Sequence, residues 1–202
     1  MYNKTLKEYS ELLASNKPIP GGGGTSALVG NLASSLSMMA INLTYGKKKY
    51  AEYEKELNGL EIELKELNEK LLKYINDDAK AFYPLSKAYS MDKHNPDYFN
   101  IIEKCLQDAV MPPLHIVRTC CRVIEIDSRL KDISSKLVVS DVATSVMLAY
   151  GALKGAYANV LVNTRLMNNK EYARNVESEA KGLMDKYAFL AIQTYDYILG
   201  RL

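Results

Sequence analysis

Apolar residues recur along nearly the whole chain at helical spacing, and no stretch sustains the alternation of a strand, so the sequence predicts an all-α fold. A short amphipathic helix is expected over residues 5–15, with Leu6, Tyr9 and Leu13 on one face. Residues 25–45, TSALVGNLASSLSMMAINLTY, carry no charged side chain. Their wealth of Ala, Ser, Gly, Leu and Met describes a helix over about 25–43 that is buried on nearly every side. The lysine-rich bend Gly46-Lys47-Lys48-Lys49 leads to a long helix over about 50–89. Asn95-Pro96 supplies an N-cap and first-turn proline for the next helix, which Pro112-Pro113 is expected to kink or break before it resumes towards Ile126. Residues 130–140 read as the least helical part. Ser140 or Asp141 then caps a second nearly charge-free helix, and a final amphipathic helix fills 171–199. No internal repeat and no low-complexity tail interrupts this order.

Two buried helices are hard to cover with the remaining amphipathic ones, so the pattern predicts a single-domain helical bundle that forms a homodimer. Small residues spaced by four, Ser26, Gly30 and Ser34 in one helix and Gly151 and Gly155 in the other, permit close helix contacts within the subunit or across the dimer. The first charge-free helix is entered through P-I-P-G-G-G-G at residues 18–24. Glycine allows close approach to the backbone, and a glycine run opening a helix can present several N–H groups to an anion. The turn therefore reads as a hinge or ligand turn entering a core.

Composition narrows the function classes. At 202 residues one domain, residues 1–202, with a substantial core is expected. Basic residues number 26 against 24 acidic ones, and they are scattered, which leaves no electrostatic footprint for nucleic acid. Cys105, Cys120 and Cys121 lack the spacing of a zinc or redox motif and fit reduced, mostly buried thiols. The N-terminal stretch is charged throughout and unlike a secretory signal, so a cytoplasmic protein is expected. The uncharged stretch from Thr25 has the length of a membrane span, but its serines and asparagines make it too polar for lipid.

One position stands out for chemistry. Leu57, Leu60, Leu64, Leu67, Leu71 and Tyr74 trace a stripe with steps of three and four, and its next place falls on Asp78, before Ala81 and Leu85 continue it. Burial on that face would raise the carboxyl pKa and suit it to proton transfer. The alternatives are a drifting face that half exposes Asp78, or an ion pair with a lysine. Lys47, Lys48 and Lys49 form the one compact cationic cluster, which a solvated turn at a helix C-terminus also explains. Asn42, Thr44, Asn159 and Asn163 lie on the charge-free helices, where they could bind a polar heterocycle or bond to each other. Asp141 is explained as a first-turn residue without any active site. His94 and His115 show no metal-ligand pattern, and neither Ser nor Cys has an evident activating partner.

PGGGGTSALVGNLASSLSMMAINLTYGKKKY, NDDAKAF, DAVMPPLHI and SDVATSVMLAYGALKGAYANVLVN, in that order, resemble blocks of the formiminotransferase-cyclodeaminase C-terminal domain family, also called the cyclodeaminase/cyclohydrolase family. The resemblance covers nearly the whole chain. It implies a helical, dimer-forming enzyme acting on one-carbon tetrahydrofolates, with no metal and no cofactor beyond the tetrahydrofolate substrate. Such an enzyme either closes formimino-tetrahydrofolate to methenyl-tetrahydrofolate with loss of ammonia, or opens methenyl-tetrahydrofolate with water. Both reactions pass through one tetrahedral carbon between two nitrogens and need a proton shuttle.

By the same resemblance Asp78 matches the acid of the D-x-x-A-F block and becomes the general acid/base. Asn42, Thr44, Gly46, Lys47 and Lys48 match N-L-T-x-G-K-K, whose lysines could meet the pterin side or the glutamate carboxylates of a folate, including a polyglutamylated one. Pro20, Gly21, Gly22 and Gly23 match the glycine turn and are assigned to ligand access. Ser140, Asp141, Asn159 and Asn163 match the late blocks and would complete the pocket. Gly24, Tyr83-Pro84 and the polarity near Thr144 depart from the pattern, and Pro84 puts the orientation of Asp78 in question. The competing class is a non-catalytic folate-binding or helical interaction protein of the same fold.

Overall fold

The computed structural model describes residues 3–202, and among them it contains six α-helices and no strand. Helix α1, Leu6–Leu13, opens with a reciprocal capping box. Thr5 Oγ1 accepts from Glu8 N at 3.2 Å, and the Glu8 carboxylate accepts from Thr5 N at 2.7 Å. Of the expected apolar face only Tyr9 is buried; Leu6 and Leu13 lie exposed. Helix α2, Gly22–Asn42, starts three residues earlier than the charge-free run predicts, because the glycines form its N-cap and first turn instead of preceding it. Gly46, at φ +73°, then turns the chain into a 3-10 helix, Lys48–Tyr53, in a conformation that glycine adopts without strain.

The remaining helices are α3, Glu54–Ala88; α4, Tyr98–Ile133; α5, Val139–Leu166; and α6, Lys170–Leu199. Helix α4 overturns the expected break: it runs through Pro112 and Pro113 without interruption, and both prolines are buried. Pro113 has no N–H to give the carbonyl of Ala109, four residues earlier. Asn163 Nδ2 of α5 donates to that carbonyl at 3.3 Å and replaces the missing partner. Asp97, not Asn95, caps α4, and the helix absorbs residues 130–133 of the segment expected to be least helical. Val138 rather than Ser140 or Asp141 caps α5, so both of the latter already belong to its first turn, where an acidic side chain suits the helix dipole.

Cross-helix contacts set the directions. Gly22 meets Asn159 and Gly155 meets Ser26, so α2 and α5 are antiparallel; Gly30 meets Cys120 and Ser37 meets Asp127, so α2 and α4 are parallel. Helices α2, α4 and α6 therefore point one way, with α3 and α5 reversed. A Cβ on Gly155 would lie 2.5 Å from Ser26 Oγ, and one on Gly30 would lie 3.0 Å from Cys120 Sγ, so these small residues serve packing inside the subunit. Gly151 has open space beside it. Arg118, Arg122 and Arg129 of α4 each pair through two nitrogens with a glutamate of a neighbouring helix, Glu179, Glu63 and Glu56. These pairs are half exposed and orient helices more than they stabilise them.

Two departures bear on the site. The α3 stripe buries Leu57, Leu64, Leu67 and Leu71 but then continues through Ile75 and Ala79, leaving Asp78 on its border and half buried. A straight helix drifts about 20° per heptad from a strict seven-residue repeat, which is enough over this length to move the buried line by one residue. Helix α2 is largely buried, yet one side is open: Leu32, Met39 and Leu43 are 47%, 46% and 45% exposed and share a stripe along it.

Candidate functional site at the glycine turn

Asp78 reaches across from α3 to the start of α2, where its Oδ2 accepts a hydrogen bond from Gly24 N at 2.8 Å. The N-terminus of a helix favours a carboxylate at this place. The glycines are there for space. A Cβ on Gly23 would stand 2.0 Å from Asp78 Oδ1, and one on Gly22 would stand 2.9 Å from Asn159 Nδ2. Burial pushes the Asp78 carboxyl above its ordinary value, and the Gly24 N–H opposes that shift without cancelling it. Among the described residues Oδ1, packed against Gly23, receives no hydrogen bond, so one oxygen is held by a donor and the other is not.

Tyr9 joins this group, and sequence reasoning missed it. Its ring is buried, and among the described residues its hydroxyl has no hydrogen-bond partner within normal geometry. Burial raises the phenol pKa and so does the Asp78 charge, with the Thr25 side chain opposing. Thr25 itself donates to Gly21 O at 2.8 Å. A buried hydroxyl without a partner beside a half-buried carboxyl marks a place for a polar ligand atom. The signal in the sequence was the inward place of Tyr9 on α1, just ahead of the glycine turn. A mostly apolar cleft of about 410 Å³ lies on another face of α3, lined by Ile19, Ala79, Tyr83 and Pro84 among others; neither Asp78 nor Tyr9 lines it.

The structure divides the expected site residues between the two ends of α2. Pro20, Gly21, Gly22, Gly23, Asp78 and Asn159 gather at its N-terminal end, and Asn163 lies one turn further along α5. Asn159 Nδ2 donates to Gly155 O at 2.8 Å while its side chain covers Gly22. Asn163 is committed to Ala109 O and to Asn159 O. Asn42, Thr44, Lys47, Lys48, Ser140 and Asp141 lie at the other end, about 30 Å away along the 21 residues of α2. There Thr44 Oγ1 donates to Ala40 O and accepts from Ser135 N, and Lys47 Nζ donates to Ser135 Oγ at 2.7 Å. Asn42 and Lys48 are exposed, so the buried amide expected at position 42 is not found.

A second carboxyl escaped the sequence reading. Asp127 of α4 is fully buried, with Ser37 Oγ at 2.6 Å from Oδ1 and Ser145 Oγ at 2.7 Å from Oδ2. The two serine oxygens are 2.8 Å apart, and Ser145 Oγ is 2.8 Å from Ala33 O. Ser37 Oγ is also 3.2 Å from Ala33 O, so two hydroxyl protons face five contacts, and a carboxylic proton adds a third donor. Burial pushes Asp127 up to about 7, against the pull of the two serines. The residue lies mid-bundle and ties α2, α4 and α5 together. Its only trace in the sequence is one acid at an inward place between Ile124, Ile126 and Leu130.

Burial pushes the Cys121 thiol up to about 12 and raises that of Cys120 as well, which disfavours the reactive thiolate at both. Among the described residues no group of three or more His, Cys, Asp or Glu side chains could hold a metal ion.

Residues 5–182 match the family model described as formiminotransferase-cyclodeaminase. The chain belongs to this family. A methenyltetrahydrofolate cyclohydrolase from Methylorubrum extorquens is 31% identical over 99% of this chain and 98% of that protein. The mouse formimidoyltransferase-cyclodeaminase is 21% identical over 92% of the chain, which spans 35% of that longer protein. A crystal structure of formiminotetrahydrofolate cyclodeaminase from Thermotoga maritima superposes with a TM-score of 0.87, covering 98% of both chains at 23% identity, and shares the fold. In this formiminotransferase-cyclodeaminase member, Asp78, Tyr9 and the glycine turn all lie within the matched stretch.

Proposed function

We propose that the chain is a one-carbon folate enzyme, a methenyltetrahydrofolate cyclohydrolase in which Asp78 is the general acid/base. The observation that carries the chemistry is a carboxyl tethered by one backbone N–H, raised in pKa and without a hydrogen bond to its second oxygen among the described residues. The full-length similarity to the Methylorubrum extorquens cyclohydrolase favours this reaction. Methenyl-tetrahydrofolate carries an amidinium carbon between two nitrogens. Asp78 as carboxylate takes a proton from water as the oxygen bonds to that carbon, which gives a neutral tetrahedral adduct. The same carboxyl then returns that proton to one nitrogen as its C–N bond breaks and takes up the adduct's hydroxyl proton as the C=O bond forms, leaving a formyl group on the other nitrogen and passing the second proton to water. Negative charge at Asp78 also attracts the amidinium cation. The cyclodeaminase reaction uses the same tetrahedral carbon with ammonia as leaving group, and the family's second activity keeps it as the alternative.

The remaining roles belong to the same proposal. Pro20 and Gly21–Gly23 shape ligand access, and Asn159 borders it. The chain works as one domain in the cytoplasm, needs no cofactor beyond its tetrahydrofolate substrate, and binds no nucleic acid. No helix among the described residues is long and apolar enough to cross a membrane, in keeping with a protein that does not use one. The open stripe of Leu32, Met39 and Leu43 supports a homodimer. If the two copies of α2 run antiparallel, Asn42, Lys47, Lys48, Ser140 and Asp141 of one copy come to the Asp78 end of the other. The lysines then meet the glutamate tail of the folate, single or polyglutamylated.

Purified protein is mixed with methenyl-tetrahydrofolate and, separately, with formimino-tetrahydrofolate, and the methenyl absorbance is followed against buffer. Loss of signal in the first mixture supports the cyclohydrolase. A gain with ammonia release in the second, without the first, replaces it with the cyclodeaminase. Binding of either folate without turnover makes the chain a non-catalytic folate-binding relative, and no binding overturns the folate reading altogether.

A further inference from the structure

At the far end of the bundle from Asp78, a cavity of about 700 Å³ opens between the 3-10 helix, the α4–α5 connection and the end of α6. Four cations line it, Lys49, Lys131, Lys136 and Arg201, against two acids, Glu52 and Asp132. Asp132 is already committed: it pairs with Lys131 Nζ at 2.9 Å and accepts from Tyr197 Oη at 3.0 Å. Lys49, Lys136 and Arg201 form no ion pair with a carboxylate among the described residues, which leaves the cavity with a surplus of positive charge that Glu52 offsets only in part.

Tyrosine rings hold three of the four cations, Lys131 among them at 4.9 Å from the Tyr197 ring centroid. The Arg201 guanidinium lies 3.8 Å from the Tyr197 ring centroid, and Lys49 Nζ lies 5.6 Å from that of Tyr50. A ring face steadies a cation but leaves the in-plane N–H donors of a guanidinium, and the N–H groups of an ammonium that point away from the ring, free for an anion. The walls are fixed by bonds across the loops. Tyr50, itself buried, accepts from Lys136 N at 3.1 Å, while Ser135 N donates to Thr44 Oγ1 at 2.9 Å. Both arrangements hold the cationic segments in place before any ligand arrives.

We infer that this cavity is a binding site for a small oligoanion carrying two or more carboxylate or phosphate groups. Lys49, Lys136 and Arg201 supply the charge and donors, and Tyr50 and Tyr197 position them. Tyr197 and Arg201 lie beyond residue 182, outside the stretch that matches the family model, whereas Lys49 and Lys136 lie within it. The site does not depend on the proposed reaction, whose carboxyl lies at the opposite end of α2 within the same subunit.

Isothermal titration tests the inference with two probes, inorganic tripolyphosphate and the tripeptide γ-Glu-γ-Glu-Glu, on the wild-type protein, Arg201→Glu and Lys136→Glu. Arg174→Glu, an exposed site on α6 away from the cavity, controls for the loss of overall charge. At least one probe is expected to bind one to one, with affinity weakened about tenfold or more by each cavity reversal and much less by the control. Binding of tripolyphosphate points to a phosphorylated ligand; binding of the peptide without it points to a glutamyl chain. Circular dichroism confirms that the variants, all at exposed positions, are folded. No binding of either probe overturns the inference, as does equal weakening by Arg174→Glu.

Discussion

Gly24 N donates to Asp78 Oδ2 at 2.8 Å across 54 residues of sequence, and the neighbouring Gly23 leaves only enough room for the other carboxyl oxygen. The glycine turn and the acid are thus one device: the turn supplies both the donor that orients the carboxyl and the space it occupies. Gly23→Ala is therefore expected to displace Asp78, because the new Cβ would stand 2.0 Å from Oδ1. Misplacing a catalytic group by an ångström costs up to about 10²-fold in turnover. Steady-state kinetics with methenyl-tetrahydrofolate should show the loss in kcat, and an unchanged kcat would separate the turn from the chemistry.

Asp78→Asn keeps the size of the side chain and its bond to Gly24 N while removing the proton shuttle. Turnover should fall by about 10²-fold or more, with the helical circular dichroism spectrum retained. Wild-type turnover in this variant would transfer the role to another group.

Asn163 separates a structural from a ligand role. Asn163→Ala leaves Ala109 O without the donor that Pro113 cannot provide, and this should cost about 1–3 kcal/mol of stability in urea unfolding. A raised KM at unchanged stability would instead favour direct substrate contact.

Asp127 makes a prediction about pH. Its carboxyl titrates at about 7 in the folded chain against an ordinary 3.8, so between those values the native state holds a proton that the unfolded chain has released. Stability from this group is fully present below about pH 4 and declines as pH rises, by up to about 1.4 kcal/mol per pH unit, until the folded carboxyl ionises near 7. Burial raises it, and the hydrogen bonds of Ser37 and Ser145 oppose that shift. Asp127→Asn cannot titrate, and urea midpoints measured from pH 4 to about 8 should lose this component of the slope. An identical pH profile in the variant would assign the dependence elsewhere.

The α2 stripe addresses assembly. Leu32 is 47% exposed in the subunit, so Leu32→Glu should change monomer stability by no more than about 0.5 kcal/mol. A homodimer closed over this stripe would dissociate, which light scattering would read as a halved mass. A mass unaffected by the substitution would place any contact between copies on another face.

Much of the architecture was legible because its signals are local. The helical period, the absence of charge in α2 and α5 and the glycine run each act within a few turns of chain, and they mark the helices wherever they later pack. The leucine stripe also led to Asp78, although by a heptad extrapolation that the helix does not follow. The residue faces the site because Gly23 and Gly24 admit it, not because it belongs to the buried line.

What only tertiary structure decided were the relations across helices. Pro113 breaks a helix that stands alone, but Asn163 from α5 replaces the lost donor, and α4 continues. Asp127 reads as one acid among many until Ser37 and Ser145 close around it from two other helices. Residues grouped by one pattern, Asp78 with Lys47 and Lys48, end about 30 Å apart because α2 is straight and separates them by its full length. Sequence by itself determined which segments become helices and which faces are apolar, since backbone hydrogen bonds and side-chain period are set within each segment. Where those segments meet is set by the packing of side chains distant in the chain, and that packing chose the neighbours of every polar group in the core.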